Sequence, residues 1–170
     1  MSTVRRVNSG VTPKTNKKKA VRNIPRNACF GCGQDNAEGM RLKFKFDEKK
    51  SVVRGAFRMA SRYQGSRAAL HGGIIALLVD EAMGKLNRLD EIVAPTAELR
   101  IEYLRPVPVG RKIVVESRRV AQAGRNYWRE CTIRDGEGNL LARGRGRFVK
   151  VGDRVDGKER NPKFQIPNPK

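Results

Sequence analysis

The stretch HGGIIALLVDEAMG, from His71 to Gly84, constrains this chain more than any other part of it. It lacks the two-residue alternation of a strand and has almost no polar face until Lys85. It therefore reads as a helix that starts at Gly72 or Gly73 and runs to about Leu89. A helix that is apolar nearly all round must be buried by the rest of the chain. A sheet curled around it would do that.

The flanking sequence supplies the strands. Met40, Leu42, Phe44 and Phe46 alternate with Arg41, Lys43 and Lys45, and Val53, Gly55, Phe57 and Met59 alternate with Arg54, Ala56 and Arg58. The DEKK between them suits a hairpin turn. After the helix, Ala97, Leu99, Ile101 and Tyr103 alternate with Glu98, Arg100 and Glu102. Strict alternation puts Thr96 on the polar face with Glu98 and Arg100. Residues 111–121 and 125–134 form two further strands. After the turn DGEGN, Leu140, Ala142, Gly144, Gly146 and Phe148 alternate with three arginines. The order strand, strand, helix, four strands predicts an α+β fold with an antiparallel sheet.

Residues 1–27 carry eight Lys or Arg and no acid, have no hydrophobic period, and read as a basic disordered arm. Residues 28–150 form the domain, and 151–170 read as an irregular extension. The chain's net charge is +20, of which residues 28–150 hold +10. Such a field attracts polyanions, including nucleic acid, anionic lipid and phosphate-bearing ligands, without choosing among them. No run approaches the ~18 apolar residues of a membrane span, and the N-terminus lacks the apolar region of a secretory signal. Three cysteines with one close pair make a poor disulfide framework. A cytoplasmic protein is the expectation.

The lone histidine, the two glycines and Asp80 form the one constellation with the makings of an active site. A helix N-terminus presents free N–H groups and the positive end of a dipole. Glycines let a ligand approach that backbone closely. Such donors suit a carbonyl oxygen that gains charge in acyl transfer. A carboxylate in an apolar helix is expected to be partly desolvated, which strengthens it as a base. Nine residues separate His71 from Asp80, about 180° of rotation and roughly 13 Å of rise. The two groups cannot readily serve one carbonyl within one chain. If both act, a two-fold partner supplies the second half. Taken singly, a buried Asp more often caps a backbone or pairs with an arginine, and a His at a helix start is more often part of a turn.

The segment HGGIIALLVDEAMG resembles the signature of hotdog-fold acyl-CoA thioesterases of the PaaI-like kind, in the 4-hydroxybenzoyl-CoA thioesterase-like superfamily. CFGCGQDNAEGMRLKF, PTAELRIEYLRPVPVG and GRNYWRECTIRDGEGNLLARGRGRFV resemble that family's flanking segments, so the likeness covers roughly residues 28–150. The resemblance implies a hotdog fold, a homodimer or dimer of dimers, and hydrolysis of an acyl-CoA thioester to free acid and coenzyme A. Asp80 would act as general base or nucleophile, and the N–H of Gly72 or Gly73 would polarise the carbonyl. Thr96 would help place water, and His71 would orient the loop. Many relatives carry Asn six residues before the His; here that position is Gly65, and Gln64 is the candidate replacement. No cofactor is implied, because coenzyme A is part of the substrate. Its phosphates make Arg125, Arg143, Arg145 and Arg147 candidate contacts, although a solvated sheet face is the commoner role for any one of them. Tyr63, Met83 and Leu86 are candidate walls of the acyl pocket. Glu81, about 100° from Asp80, is expected to pair with a base elsewhere.

Other readings compete. Cys29 and Cys32 have metal-ligand spacing, and Cys131 and His71 are the available completions. A second CxxC is absent, so no metal is expected and the pair reads as a structural turn. The arm at 1–27 could make nonspecific polyanion contacts, but it has no aromatic residue for stacking. A non-catalytic acyl-CoA binder on the same fold is the third alternative; it would gain little from a desolvated carboxylate. Dehydratase chemistry fits less well, because its His–acid arrangement is not evident.

Overall fold

The computed structural model describes residues 27–66, 68–155 and 158–159. All but the last residue of the expected arm, and the chain after Glu159, lie outside them. The main sheet has six strands in the order β1-β2-β5-β6-β7-β4. These are β1 Lys45–Asp47, β2 Val52–Arg58, β4 Thr96–Tyr103, β5 Lys112–Ala123, β6 Asn126–Asp135 and β7 Leu140–Val149. Every pairing is antiparallel. Helix α1, Gly72–Gly84, is held in the sheet's concave face. A short helix α2, Leu86–Leu89, follows it. This is the α+β architecture that the order of elements predicts, in the hotdog form that the resemblance implies.

The alternation that defines each strand also defines the core. Val53, Ile113, Val115, Cys131, Ile133, Ala142 and Phe148 point inward. They meet Ile75, Leu78, Val79, Ala82 and Met83 of α1, all buried. Burial of each Val, Leu, Ile, Phe or Met among them contributes roughly 1.5–3 kcal/mol. Under the helix, β7 offers Gly144 and Gly146 where larger side chains would stand. A Cβ at Gly144 would overlap Val79 Cγ1, and one at Gly146 would lie 2.9 Å from Met83 Cε. The two glycines make a notch in the sheet, and α1 seats Val79 and Met83 in it.

Three elements differ from the sequence expectation. The first strand was expected from Met40, yet it begins at Lys45. Arg41 has φ of 50°, which breaks the extended run, and the amides of Met40 and Leu42 donate to Phe30 and Gly31 carbonyls at 2.8 and 2.9 Å. This segment therefore packs on the CFGCG loop instead of extending the sheet. The expected helix to Leu89 is interrupted at Lys85. There Ser117 Oγ donates to Ala82 O at 2.6 Å and Arg129 Nη1 donates to Met83 O at 2.8 Å, so two helix carbonyls are claimed by distant strands. Finally, the extension after 151 is not irregular throughout. Strand β8, Gly152–Val155, pairs with β3, Ile92–Val93, and with β9, Lys158–Glu159, in a small second sheet.

Arg129 is 1% exposed. Its Nη2 donates to Asp90 Oδ2 at 2.6 Å, and the guanidinium lies 4.5 Å over the Phe148 ring. Burial pulls its pKa below the usual guanidinium range, and the charge of Asp90 opposes that fall. Arg119 also pairs with Asp90. Arg129→Ala strips the Met83 carbonyl and the nearly buried Asp90 of one partner each. Breaking a buried pair from one side costs about 3–5 kcal/mol. Urea unfolding should register that loss as a lower midpoint; a shift worth under 1 kcal/mol would contradict the role given to Arg129.

Candidate active site

The N-terminus of α1 is built by the loop before it. The 3-10 turn Ser61–Tyr63 ends at Gln64, which pairs with Leu70 as an isolated antiparallel bridge. His71 N donates to Tyr63 O at 2.9 Å. A Cβ at Gly65 would lie 2.9 Å from His71 Cα, so the close approach of these two backbones requires glycine there. His71 itself is the N-cap. Its Nδ1 accepts from Gly73 N at 3.0 Å. That bond occupies the Gly73 amide and orients the loop. Among the described residues nothing accepts from the Gly72 amide, so of the two glycines Gly72 presents the available donor. Gln64 is exposed beside this helix start.

Asp80 lies half-buried on α1, and Thr96 Oγ1 donates to its Oδ1 at 2.7 Å. Simple alternation puts Thr96 on the outer face, but the β4–β7 register shifts between Thr96 and Glu98. That bulge turns Thr96 inward onto Asp80. Oδ1 is thereby fixed, and Oδ2 is left to receive a proton. At the other end of β4, Tyr103 OH donates to Gly72 O at 3.3 Å. Tyr103 was not expected from the sequence, where it reads as an ordinary inward strand residue. Strand β4 thus runs along α1 with its first residue at Asp80 and its last at Gly72. Eight helical residues, about 12 Å of rise, separate these two ends.

The candidate arginines fall elsewhere. Arg143, Arg145 and Arg147 project from the sheet face opposite α1, by their alternation with inward Ala142, Gly144, Gly146 and Phe148. Arg143 donates through Nε and Nη2 to Glu102 at 2.9 and 2.6 Å. Arg147 pairs with Glu98 at 3.5 Å. Arg125, in the β5–β6 turn, donates through Nε to Lys150 O at 2.8 Å. It lies at the sheet end that carries Thr96, because Asn126 pairs with Val149 and Phe148 with Thr96. Met83 and Leu86 are fully buried in the core and line no open pocket wall, whereas Tyr63 is half-buried near the helix start.

Glu81 finds its base in Lys85, with Nζ 3.6 Å from Oε2. It also accepts from the Cys29 thiol at 3.3 Å. Cys32 stands in the same cluster, its pKa pushed up to about 12, chiefly by burial. Cys131 is buried within the sheet and His71 caps the far end of α1, so neither joins the pair.

Residues 68–142 match the family model described as Thioesterase superfamily. The bovine acyl-coenzyme A thioesterase THEM4 is 32% identical over 106 residues, which cover 62% of this chain and 43% of that protein. The chain thus spans less than half the length of that relative. A crystal structure of a thioesterase superfamily protein superposes with a TM-score of 0.65 at 28% identity, covering 69% of this chain and 60% of the other. The smu.793 protein of Streptococcus mutans, solved bound to acetyl-CoA, aligns with a TM-score of 0.63 at 19% identity, over 67% of this chain and 91% of its own. No described helix is long and apolar enough to cross a membrane.

Proposed function

Since the chain belongs to the thioesterase superfamily, we propose that it hydrolyses acyl-CoA thioesters in a site assembled from two copies of itself. The carrying observation is the β4 strand, which bonds the Asp80 carboxylate at one end and, at the other, the carbonyl of Gly72, the residue whose N–H is the proposed donor. It is also an edge strand, exposed from Thr96 to Arg100, and Leu99, Tyr103 and Leu104 stand exposed along it. A long edge with unpaired backbone groups invites another strand. If two β4 edges pair antiparallel across a two-fold axis, the Thr96 end of each faces the Tyr103 end of the other. Asp80 of one protomer then approaches Gly72 of its partner.

In that arrangement the Gly72 N–H, at the positive end of α1, takes the thioester oxygen as it gains charge. Asp80 removes a proton from water, or attacks the carbonyl itself. Thr96 holds the carboxylate and orients the water. The tetrahedral intermediate collapses with departure of the coenzyme A thiolate; on the nucleophilic route this leaves an acyl–aspartyl anhydride, which water hydrolyses to the free acid and the Asp80 carboxylate. His71, whose Nδ1 is engaged with Gly73, positions the loop and transfers no proton through that atom. Gln64, exposed before the helix start, would add an amide donor beside Gly72. Arg125, at the Thr96 end, is the best placed of the candidate arginines for a coenzyme A phosphate, since Arg143 is committed to Glu102.

Mixed dimers test the division of labour. Asp80→Ala subunits combined with subunits disabled at Gly72 should regain hydrolysis, because one of the two sites in each heterodimer is then intact. The readout is free-thiol release from short, long and aromatic acyl-CoA esters. A demonstrated heterodimer with no regained activity would exclude the shared site.

A further inference from the structure

We propose that Cys29, Cys32 and Glu81 form a binding site for a thiophilic divalent cation of the zinc class. Their ligand atoms all lie within 4.8 Å of one another. Tetrahedral zinc with thiolate and carboxylate ligands sets neighbouring donors roughly 3.6–3.8 Å apart. Closure therefore needs about an ångström of side-chain movement.

The loop is shaped around these atoms. Gly33 N donates to Cys29 O at 2.8 Å, closing a tight turn that sends both thiols toward α1. A Cβ at Gly33 would collide with the Cys29 backbone. Gly31, between the cysteines, leaves the space into which Glu81 reaches; a Cβ there would lie 2.6 Å from the carboxylate. The third ligand thus comes from α1, and the loop is cut to receive it.

Charge also suits a cation. Two thiolates and a carboxylate around a divalent ion leave one net negative charge. Lys85 supplies the neutralising positive charge, with Nζ 3.6 Å from Glu81. A donor of this kind beyond the ligand shell orients a metal-bound carboxylate. A cleft of about 980 Å³, lined by Cys29, Cys32, Leu42, Phe44, Lys85 and Asn87 among others, opens beside the thiols and gives water access to the fourth position. The bound ion would pin residues 27–42 to the helix that carries Asp80, a segment otherwise held mainly by scattered backbone bonds and Leu42.

Cobalt(II) titration of the full-length, reduced, folded protein tests this without any variant. Thiolate-to-cobalt charge-transfer bands and intense tetrahedral visible bands should grow to one equivalent per chain, and zinc should displace them. Cys32→Ser should abolish the two-thiolate spectrum. Lys85→Met should weaken binding about 10- to 100-fold with the bands intact. A wild-type protein with free thiols that gives no such bands and retains no zinc would overturn the assignment. So would an unchanged spectrum in folded Cys32→Ser. Should that variant fail to fold, the wild-type titration decides alone.

Discussion

Asp80→Asn should lower kcat for acyl-CoA hydrolysis about 10²- to 10⁴-fold, the range that general-base catalysis supplies. The change is chosen for what it keeps. Asparagine has the shape of aspartate, and its Oδ1 can still accept from Thr96 Oγ1, a bond of 2.7 Å in the native protein. It cannot take a proton from water or attack a thioester. Fold, oligomeric state and ligand affinity should therefore survive, and thermal unfolding should be nearly unmoved. Should the purified variant keep more than a tenth of the wild-type rate, Asp80 is not the base, and the bond to Thr96 is structural. Low activity joined to a large loss of stability would point the same way.

Gly72→Pro is the complementary experiment and removes a single N–H. Proline suits the first position of a helix, where its fixed φ is already helical and no intrahelical bond is lost. The residue before a proline must be extended. His71 already is, with φ −61° and ψ 137°. The space is adequate too, since the nearest atom to a Cβ at Gly72 is on the Tyr103 ring at 3.7 Å. The helix should form as before, with its cap from His71 to Gly73 intact. Loss of one oxyanion donor typically costs about 10²- to 10³-fold in kcat. Gly73→Ala should be much milder, because that amide is occupied by His71 and is retained in the variant. Equal losses in the two would show that packing around the glycines, rather than the Gly72 amide, carries the effect.

Much of this was legible in the residues. Strands β2, β4 and β7 announced themselves by alternation and α1 by its lack of it, while β5 and β6 read as strands on weaker patterns between turns. The spacing of His71 and Asp80 alone argued that the two ends of the site are held apart within one chain. What escaped was decided by contacts between distant parts of the sequence. Nothing local to Lys85 marks the helix break, which depends on Ser117 and Arg129 reaching two carbonyls. Nothing in PTAEL marks the slip that turns Thr96 inward, because a bulge is a property of a pair of strands. The run from Met40 read as strand because its period was right. The left-handed Arg41 and the CFGCG loop beneath it decided otherwise. Tyr103 had the correct face, but its bond to Gly72 needed the path of β4 along α1.

The notch in β7 has a consequence for aim. Val79 drops into the gap at Gly144, and the next residue on the helix is Asp80. A helix turns ~100° per residue, so anchoring Val79 leaves α1 no freedom to roll, and the carboxylate is steered toward the sheet margin occupied by Thr96. A single methyl added at Gly144 would lift or rotate the whole cylinder and swing the acid off target, although position 144 touches no reacting atom. The bearing of the proposed base is thus set from below, by a side chain that is missing.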